Sequence, residues 1–416
     1  MKDVIEKFLR YIAIDTQSSE TSGEHPSTGK QRDLGRLLRD ELVAMGAADV
    51  VWDEDHNYVY AAVPATVEAD EVLGFISHMD TSPETSGTDV QPKFTEHYDG
   101  GDIILGPAVR GSKDKPLVLS PSVYPELSDY VGQTIITTDG ATLLGADDKA
   151  GVAEIMTMAE VLLEDLKSPE PKYRHGRIAI GFTPDEEIGE GTEFFDLKQF
   201  GADVAYTVDG GALGELEYET FNAAAATVTV KGVTVHPGEA KGKMVNAAAI
   251  AAQFQCALPA DQVPEKTEGR EGFYYLCEME GGTESATLQY IVRDHDRDLF
   301  EEKKERLLTL AADLNDRYGD GVVTVELKDQ YYNMREKIEP DYLYLVDRAA
   351  AAMEALGITP RIQPIRGGTD GAMLSFKGLP CPNLCAGGHN FHGRYEYVPV
   401  ESMERIVELL LHIACE

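Results

Sequence analysis

The feature that most constrains the fold is an interrupted alternation. Apolar strand runs and helical stretches take turns over residues 1–210, break off, and resume after about Met334. VLGFIS (72–77), TIITT (134–138), RIAIGFT (177–183) and VAYTV (204–208) are short, nearly unbroken apolar runs. That is the pattern of strands covered on both faces. Leu34, Leu37, Leu38 and Leu42 recur at helical spacing, as do Val152, Ile155, Met156, Ala159 and Leu163. Strands alternating with helices predict a parallel or mixed α/β sheet.

The inserted stretch has a different order. AAAATVTVKGV (223–233) alternates like a half-exposed strand, and a helix is expected over 245–258. FYYLCEM (273–279) and SATLQYIV (285–292) read as strands, 298–318 as a helix and VVTVEL (322–327) as a last strand. The order β-α-β-β-α-β is the split βαβ plan of a compact, ferredoxin-like unit. After it come a helix over 342–356, strand-like RIQPI (361–365) and NLCAG (383–387), and a final helix bearing Met403, Ile406, Val407 and Leu410. The simplest organisation is an α/β, mixed-sheet catalytic domain built from both ends of the chain, 1–219 and 334–416. The 220–333 unit is inserted as a lid, and ligand is expected in the cleft between them.

Composition narrows the partners. With 37 basic and 73 acidic side chains the formal charge is −36. Nucleic acid and anionic membrane surfaces are therefore excluded as expected partners. The five cysteines, Cys256, Cys277, Cys381, Cys385 and Cys415, form no disulfide framework. Cys381 and Cys385 read as buried small hydrophobes, with a structural zinc site as second choice. The N-terminal helix pattern lacks the apolar centre of a signal peptide. No stretch approaches the ~18 apolar residues of a membrane span. The expected location is cytoplasmic.

Five short motifs carry chemistry. His78 and Asp80 follow the first strand run, and alternate residues of extended chain point the same way. Such a pair fits a metal-bound histidine with a carboxylate partner, or a capped surface histidine. Asp147-Asp148 opens the 150s helix, where an acidic N-cap explains one acid and a metal-bridging carboxylate explains the other reading. Asp185-Glu186-Glu187 ends the third run as a solvated turn, or as a ligand beside a general base. Asp209-Gly210 ends the fourth as an Asp-Gly turn or a ligand. His392 lies in the loop before the last helix. Each has an ordinary explanation alone. Together they place imidazole and carboxylate, without thiolate, around one domain, an inventory suited to a catalytic zinc, cobalt or manganese pair.

Over nearly its whole length the chain resembles the dinuclear zinc metallopeptidase family M20, which also holds carboxypeptidase G and amidohydrolase relatives. The likeness is densest at ISHMDTSPE (76–84), LLGADDKAGVAEIM (143–156), GFTPDEEIGEG (181–191), TVDGG (207–211), ELEYETFNAA (215–224), VHPGEAKGKMVNA (235–247), IRGGTDGAMLSFKGLPCPNL (365–384) and NFHGRYEYV (390–398). FNAA and RGGTDGA are closest to its tripeptide-cleaving aminopeptidase branch. The resemblance implies one metal on His78 and Asp209, a second on Glu187 and His392, and Asp147 bridging. It makes Asp80 the residue that orients His78 and Glu186 the general base acting on a metal-held water. It also implies a substrate-binding His236 that reaches the scissile carbonyl once the domains close, in some relatives from a partner subunit.

Asn246, Arg293 and the loop Arg366, Gly367, Gly368, Thr369 are candidate binders of peptide carbonyls or termini. Arg293 beside Asp294 is equally a structural ion pair. His389 stands where the family has an aromatic residue, and the NFHG context selects His392. Stretches near 23–25 and 110–115 are longer than the family pattern and read as loops. The implied activity is release of the N-terminal residue from tripeptides by a monomer or homodimer holding two divalent ions, zinc first. The alternatives are a dipeptidase or N-acyl amino acid deacylase of the same family, or a non-catalytic metal-binding protein.

Overall fold

The structure is a computed structural model that describes residues 2–106 and 116–415; the 110–115 stretch lies outside the described residues. The chain divides into two compact units. One comprises Met1–Tyr218, Lys337–Gln363 and Thr369–Glu416, the other Glu219–Glu336 and Pro364–Gly368.

The first unit is built on an eight-stranded mixed sheet. Its order is Ala48–Asp53, Tyr58–Val63, Ile178–Thr183, Leu73–His78, Val204–Gly210, Asn383–Cys385, Glu215–Glu217 and Arg361–Ile362. The 73–78 strand pairs in parallel with both 178–183 and 204–210, with His78 opposite Thr183. The C-terminal ends of these three strands therefore share one edge, where open α/β sheets bind ligands. Every residue of 73–78 and 178–183 is buried, which explains their continuous apolar runs.

The helix Ala146–Asp165 is buried nearly all round rather than on one stripe. It packs on the 73–78 and 204–210 strands as well as against the helices Lys2–Ile12 and Val400–Ala414. Gly151 lets it approach, because a Cβ there would lie 2.0 Å from the Val208 carbonyl oxygen. TIITT forms a strand, Ile135–Thr137, but outside the main sheet: it pairs with Lys93–Thr95 and Tyr397–Pro399. Of RIQPI only Arg361–Ile362 is strand, at the sheet edge, although the Gln363 and Ile365 N–H groups still donate to the Leu216 and Glu219 carbonyls. Cys381 and Cys385 are buried and free.

The second unit is a four-stranded antiparallel sheet in the order Phe273–Gly281, Ser285–Asp294, Asn222–Lys231, Val323–Tyr331. Helices Ala247–Cys256 and Arg297–Tyr318 pack on it over a core that includes Val228, Phe254, Leu288, Phe300 and Leu307. Among the described residues no helix is long and apolar enough to cross a membrane.

Candidate metal centre

The shared strand edge brings the motif residues of the first unit together. His78 Nδ1 lies 3.1 Å from the Asp80 carbonyl oxygen and 3.3 Å from its carboxylate. A ring N–H donated to that carbonyl leaves Nε2 with its lone pair free. Nε2 faces Asp147 Oδ1 at 2.9 Å and Asp209 Oδ1 at 3.3 Å. The second oxygen of Asp147 lies 3.2 Å from His392 Nε2, which is 2.9 Å from Glu187 Oε2. One carboxylate thus faces two histidines, each with a further carboxylate beside it.

Asp147 does not cap its helix, within whose first turn Asp147 and Asp148 have non-helical backbone angles. Glu396 holds this lead-in turn, accepting from the N–H groups of Leu144, Gly145 and Asp147 at 2.7, 3.0 and 3.1 Å. Asp148 accepts from the Ser77 hydroxyl and from the His78 N–H at 3.2 Å, and forms a second candidate donor group with His78 and Asp209. The Asp80 carboxylate does more than face His78. It accepts from the N–H groups of Glu186 and Glu187 at 3.0 and 3.3 Å and so carries the glutamate turn.

These donors fit metal ions. Two ligands bonded tetrahedrally at about 2.0–2.2 Å sit roughly 3.3 Å apart, close to the 2.9–3.3 Å separations here. Glu187 Oε1 is buried without a partner, a state that costs free energy unless something satisfies it. Burial and the Asp147 charge push Glu187 up to about 8. Burial also lifts Asp209 to about 6 and sends Glu186 well above the usual carboxylate range, with Asp209 adding to it. Against burial, the neighbouring His392 and His78 hold Asp147 below that range. A cluster of buried acids that repel one another is what divalent cations relieve.

His389 is not part of the cluster. Its Nε2 lies 2.6 Å from the Tyr130 hydroxyl and its ring stacks on Tyr397 at 4.7 Å. Burial, aided by Arg361, lowers its pKa to about 4. It therefore does the packing work of an aromatic ring. We predict that His389→Phe keeps the metal and changes kcat by less than about threefold, losing only one hydrogen bond worth roughly 1 kcal/mol. His392→Ala should lose bound ion; metal analysis beside a peptide-hydrolysis assay checks both.

The candidate binders are placed differently. In the second unit, exposed His236 accepts the Gly238 N–H on Nδ1 at 3.2 Å, and Asn246 caps the 247–256 helix through Ala249 N–H at 3.2 Å. Arg293 makes no ion pair with Asp294, because successive strand residues face opposite ways. Asp294 pairs with Lys303 at 2.9 Å, while Arg293 donates to the Ala224 and Val292 carbonyls and lies over the Tyr331 ring. Arg366 donates to the carbonyls of Gly269 and Glu271 and to the Thr267 hydroxyl, so much of its guanidinium is engaged. A Cβ on Gly368 would meet the Tyr331 ring at 2.6 Å. In the first unit Thr369 caps the helix Asp370–Lys377.

Asp370, next to Thr369, is a buried acid that motif reading passed over. It accepts from the Thr183 hydroxyl at 2.6 Å, and burial pushes it up to about 7. An acid at the head of a run as apolar as GAMLSF (371–376) was the available signal. A concavity of about 1370 Å³ lies at the other ends of the strands, near Leu73, Ile178 and Cys415, and holds none of these donors.

Known proteins place this arrangement. The peptidase dimerisation domain matches residues 218–321. Peptidase T of Clostridium acetobutylicum is 53% identical over 414 residues, covering 99% of this chain and 98% of that one. Peptidase T of Desulfitobacterium hafniense is 55% identical with the same coverage. The chain belongs to the peptidase T family. As a peptidase T family member it is a metallopeptidase, a hydrolase of peptide bonds. Its fold is shared with an aminopeptidase PepT from Bacillus cereus (TM-score 0.75, 22% identity) and a tripeptidase from Staphylococcus aureus (TM-score 0.76, 21% identity). Each comparison covers 99% of this chain and 97% of the other.

Proposed function

We propose that the protein is a tripeptide aminopeptidase using two divalent ions, zinc first with cobalt or manganese as alternatives. Full-length identity to chains named Peptidase T supports the substrate class. The observation that carries the mechanism is the Asp147 carboxylate facing two histidines, with Glu186 on the turn that Asp80 holds beside His78. His78 with Asp209 would hold one ion, Glu187 with His392 the other, and Asp147 both. When bound, the ions supply the Lewis acidity that lets water ionise near neutral pH.

Glu186 takes the proton of the attacking water on a carboxylate oxygen and returns it to the leaving amine. Its burial gives it the raised basicity this needs. Asp80 keeps the proton of His78 on Nδ1 and holds the Glu186–Glu187 turn by its N–H groups. His236, whose Nδ1 accepts the Gly238 N–H, is the substrate-binding histidine of this reading, a donor for the developing oxyanion worth about 3–4 kcal/mol. The match of 218–321 to a dimerisation domain supports a homodimer. Five free cysteines fit a cytoplasmic location.

Protein stripped with chelator and refilled with zinc, cobalt or manganese should cleave an unblocked tripeptide into one amino acid and a dipeptide. It should spare the N-acetylated tripeptide and the matching dipeptide. Cleavage of either of those would move the protein to a sister specificity. No cleavage with any ion, despite tight binding of about two, would leave a binding protein.

A further inference from the structure

The turn that carries Glu186 begins under strain. Asp185 has φ 54°, left-handed and disfavoured for a residue with a side chain. Such a conformation persists where the surroundings over-determine it. The Asp185 side chain makes no cap to its own turn, Glu186–Ile188. It is fully buried and reaches instead to the segment leading into the helix Gln31–Met45. It accepts from the Ser27 N–H at 2.6 Å, the Ser27 hydroxyl at 2.5 Å and the Gln31 side-chain amide at 2.6 Å. His25 Nδ1 is 3.4 Å away.

Gln31 is itself fully buried, and its Oε1 has no partner. A buried amide oriented with its oxygen unsatisfied has its donor side committed, here most closely to Asp185 at 2.6 Å and at 3.3 Å to the Ser27 and Thr28 hydroxyls. The helix behind it is rooted in the core by Leu34, Leu38 and Leu42. The other side of the turn is held by Asp80 on the N–H groups of Glu186 and Glu187.

We propose that Gln31 is a positioning residue: together with Ser27 it fixes Asp185, and Asp185 fixes where the Glu186 carboxylate stands. This rests on Glu186 being the base. Gln31→Met keeps length and bulk and deletes the donor. It should lower kcat on a free tripeptide by about tenfold to a hundredfold with KM within about threefold, because a small misplacement of the base acts on turnover. Metal content should stay as in the wild type, and amide hydrogen exchange over 184–191 should speed up while that of 146–165 does not.

Asp185→Asn should show the same split, and the double variant should fall no further than the worse single one. Where Gln31→Met does not fold, Ser27→Ala deletes one donor to Asp185, with the bonds the Ser27 hydroxyl accepts from Ser19 and Gln31, and keeps the helix sequence unchanged; it should reproduce the effect in weaker form. A kcat within about twofold of wild type with unchanged exchange would overturn the proposal, and so would fully additive losses. A wild type that cleaves no peptide would refute the reading of function. The exchange measurement would still decide the clamp.

Discussion

Glu186→Gln should lower kcat on a free tripeptide by about a hundredfold to ten-thousandfold, the range a positioned general base supplies. KM, metal content and thermal stability should stay near wild type. The substitution preserves shape, and the bonds that hold the turn come from the main-chain N–H of residue 186 to Asp80, which glutamine retains. What is lost is the basic carboxylate, whose buried setting lifts its pKa well above the ordinary range. The neighbour is the control. Glu187 Oε2 lies 2.9 Å from His392, so Glu187→Gln should lose ion as well as turnover. Steady-state kinetics with metal analysis separates the two. A Glu186→Gln enzyme of wild-type kcat would end its role as base, and the reverse pattern of metal loss would exchange the two residues.

Much of this site is visible in the sequence because its residues sit where apolar runs stop. VLGFIS runs into His78, RIAIGFT into Asp185-Glu186-Glu187, and VAYTV into Asp209, so a parallel sheet must gather them at one edge. The structure does gather them, with Asp147 added from the start of the 146–165 helix and His392 from a loop. Partnership over long separations is what a local pattern does not carry. TIITT has the length and apolarity of a central strand, yet it pairs with 93–95 and 397–399. Gln31 reaches Asp185 across 154 residues and Glu396 reaches Gly145 across 251, and neither stands in a motif that names its partner. Arg366 shows the converse. Its type suits a peptide carboxylate, but it is largely spent on the Gly269 and Glu271 carbonyls and the Thr267 hydroxyl. Residue type alone does not say whether a guanidinium is free.

Removing the metal should abolish hydrolysis and loosen the first unit while sparing the second. His78, Asp147, Glu187, Asp209 and His392 all belong to the first unit, as do Asp80 and Glu186. Without cations this cluster keeps several acids in mutual repulsion and leaves Glu187 Oε1 unpartnered. Each ion that binds only the folded state adds about 4 kcal/mol at a thousandfold excess over its Kd. The single tryptophan, Trp52, lies on the edge strand Ala48–Asp53 of the same unit and reports its unfolding. In urea, chelator should shift the Trp52 transition to lower concentration, and zinc should return it. A second transition, from the unit without tryptophan, should stay in place when followed by circular dichroism. A Trp52 midpoint indifferent to chelator, in protein proven free of metal, would show that the cluster is stable without ions. It would then be a hydrogen-bonded network of acids and histidines, and the hydrolytic mechanism would lose its foundation.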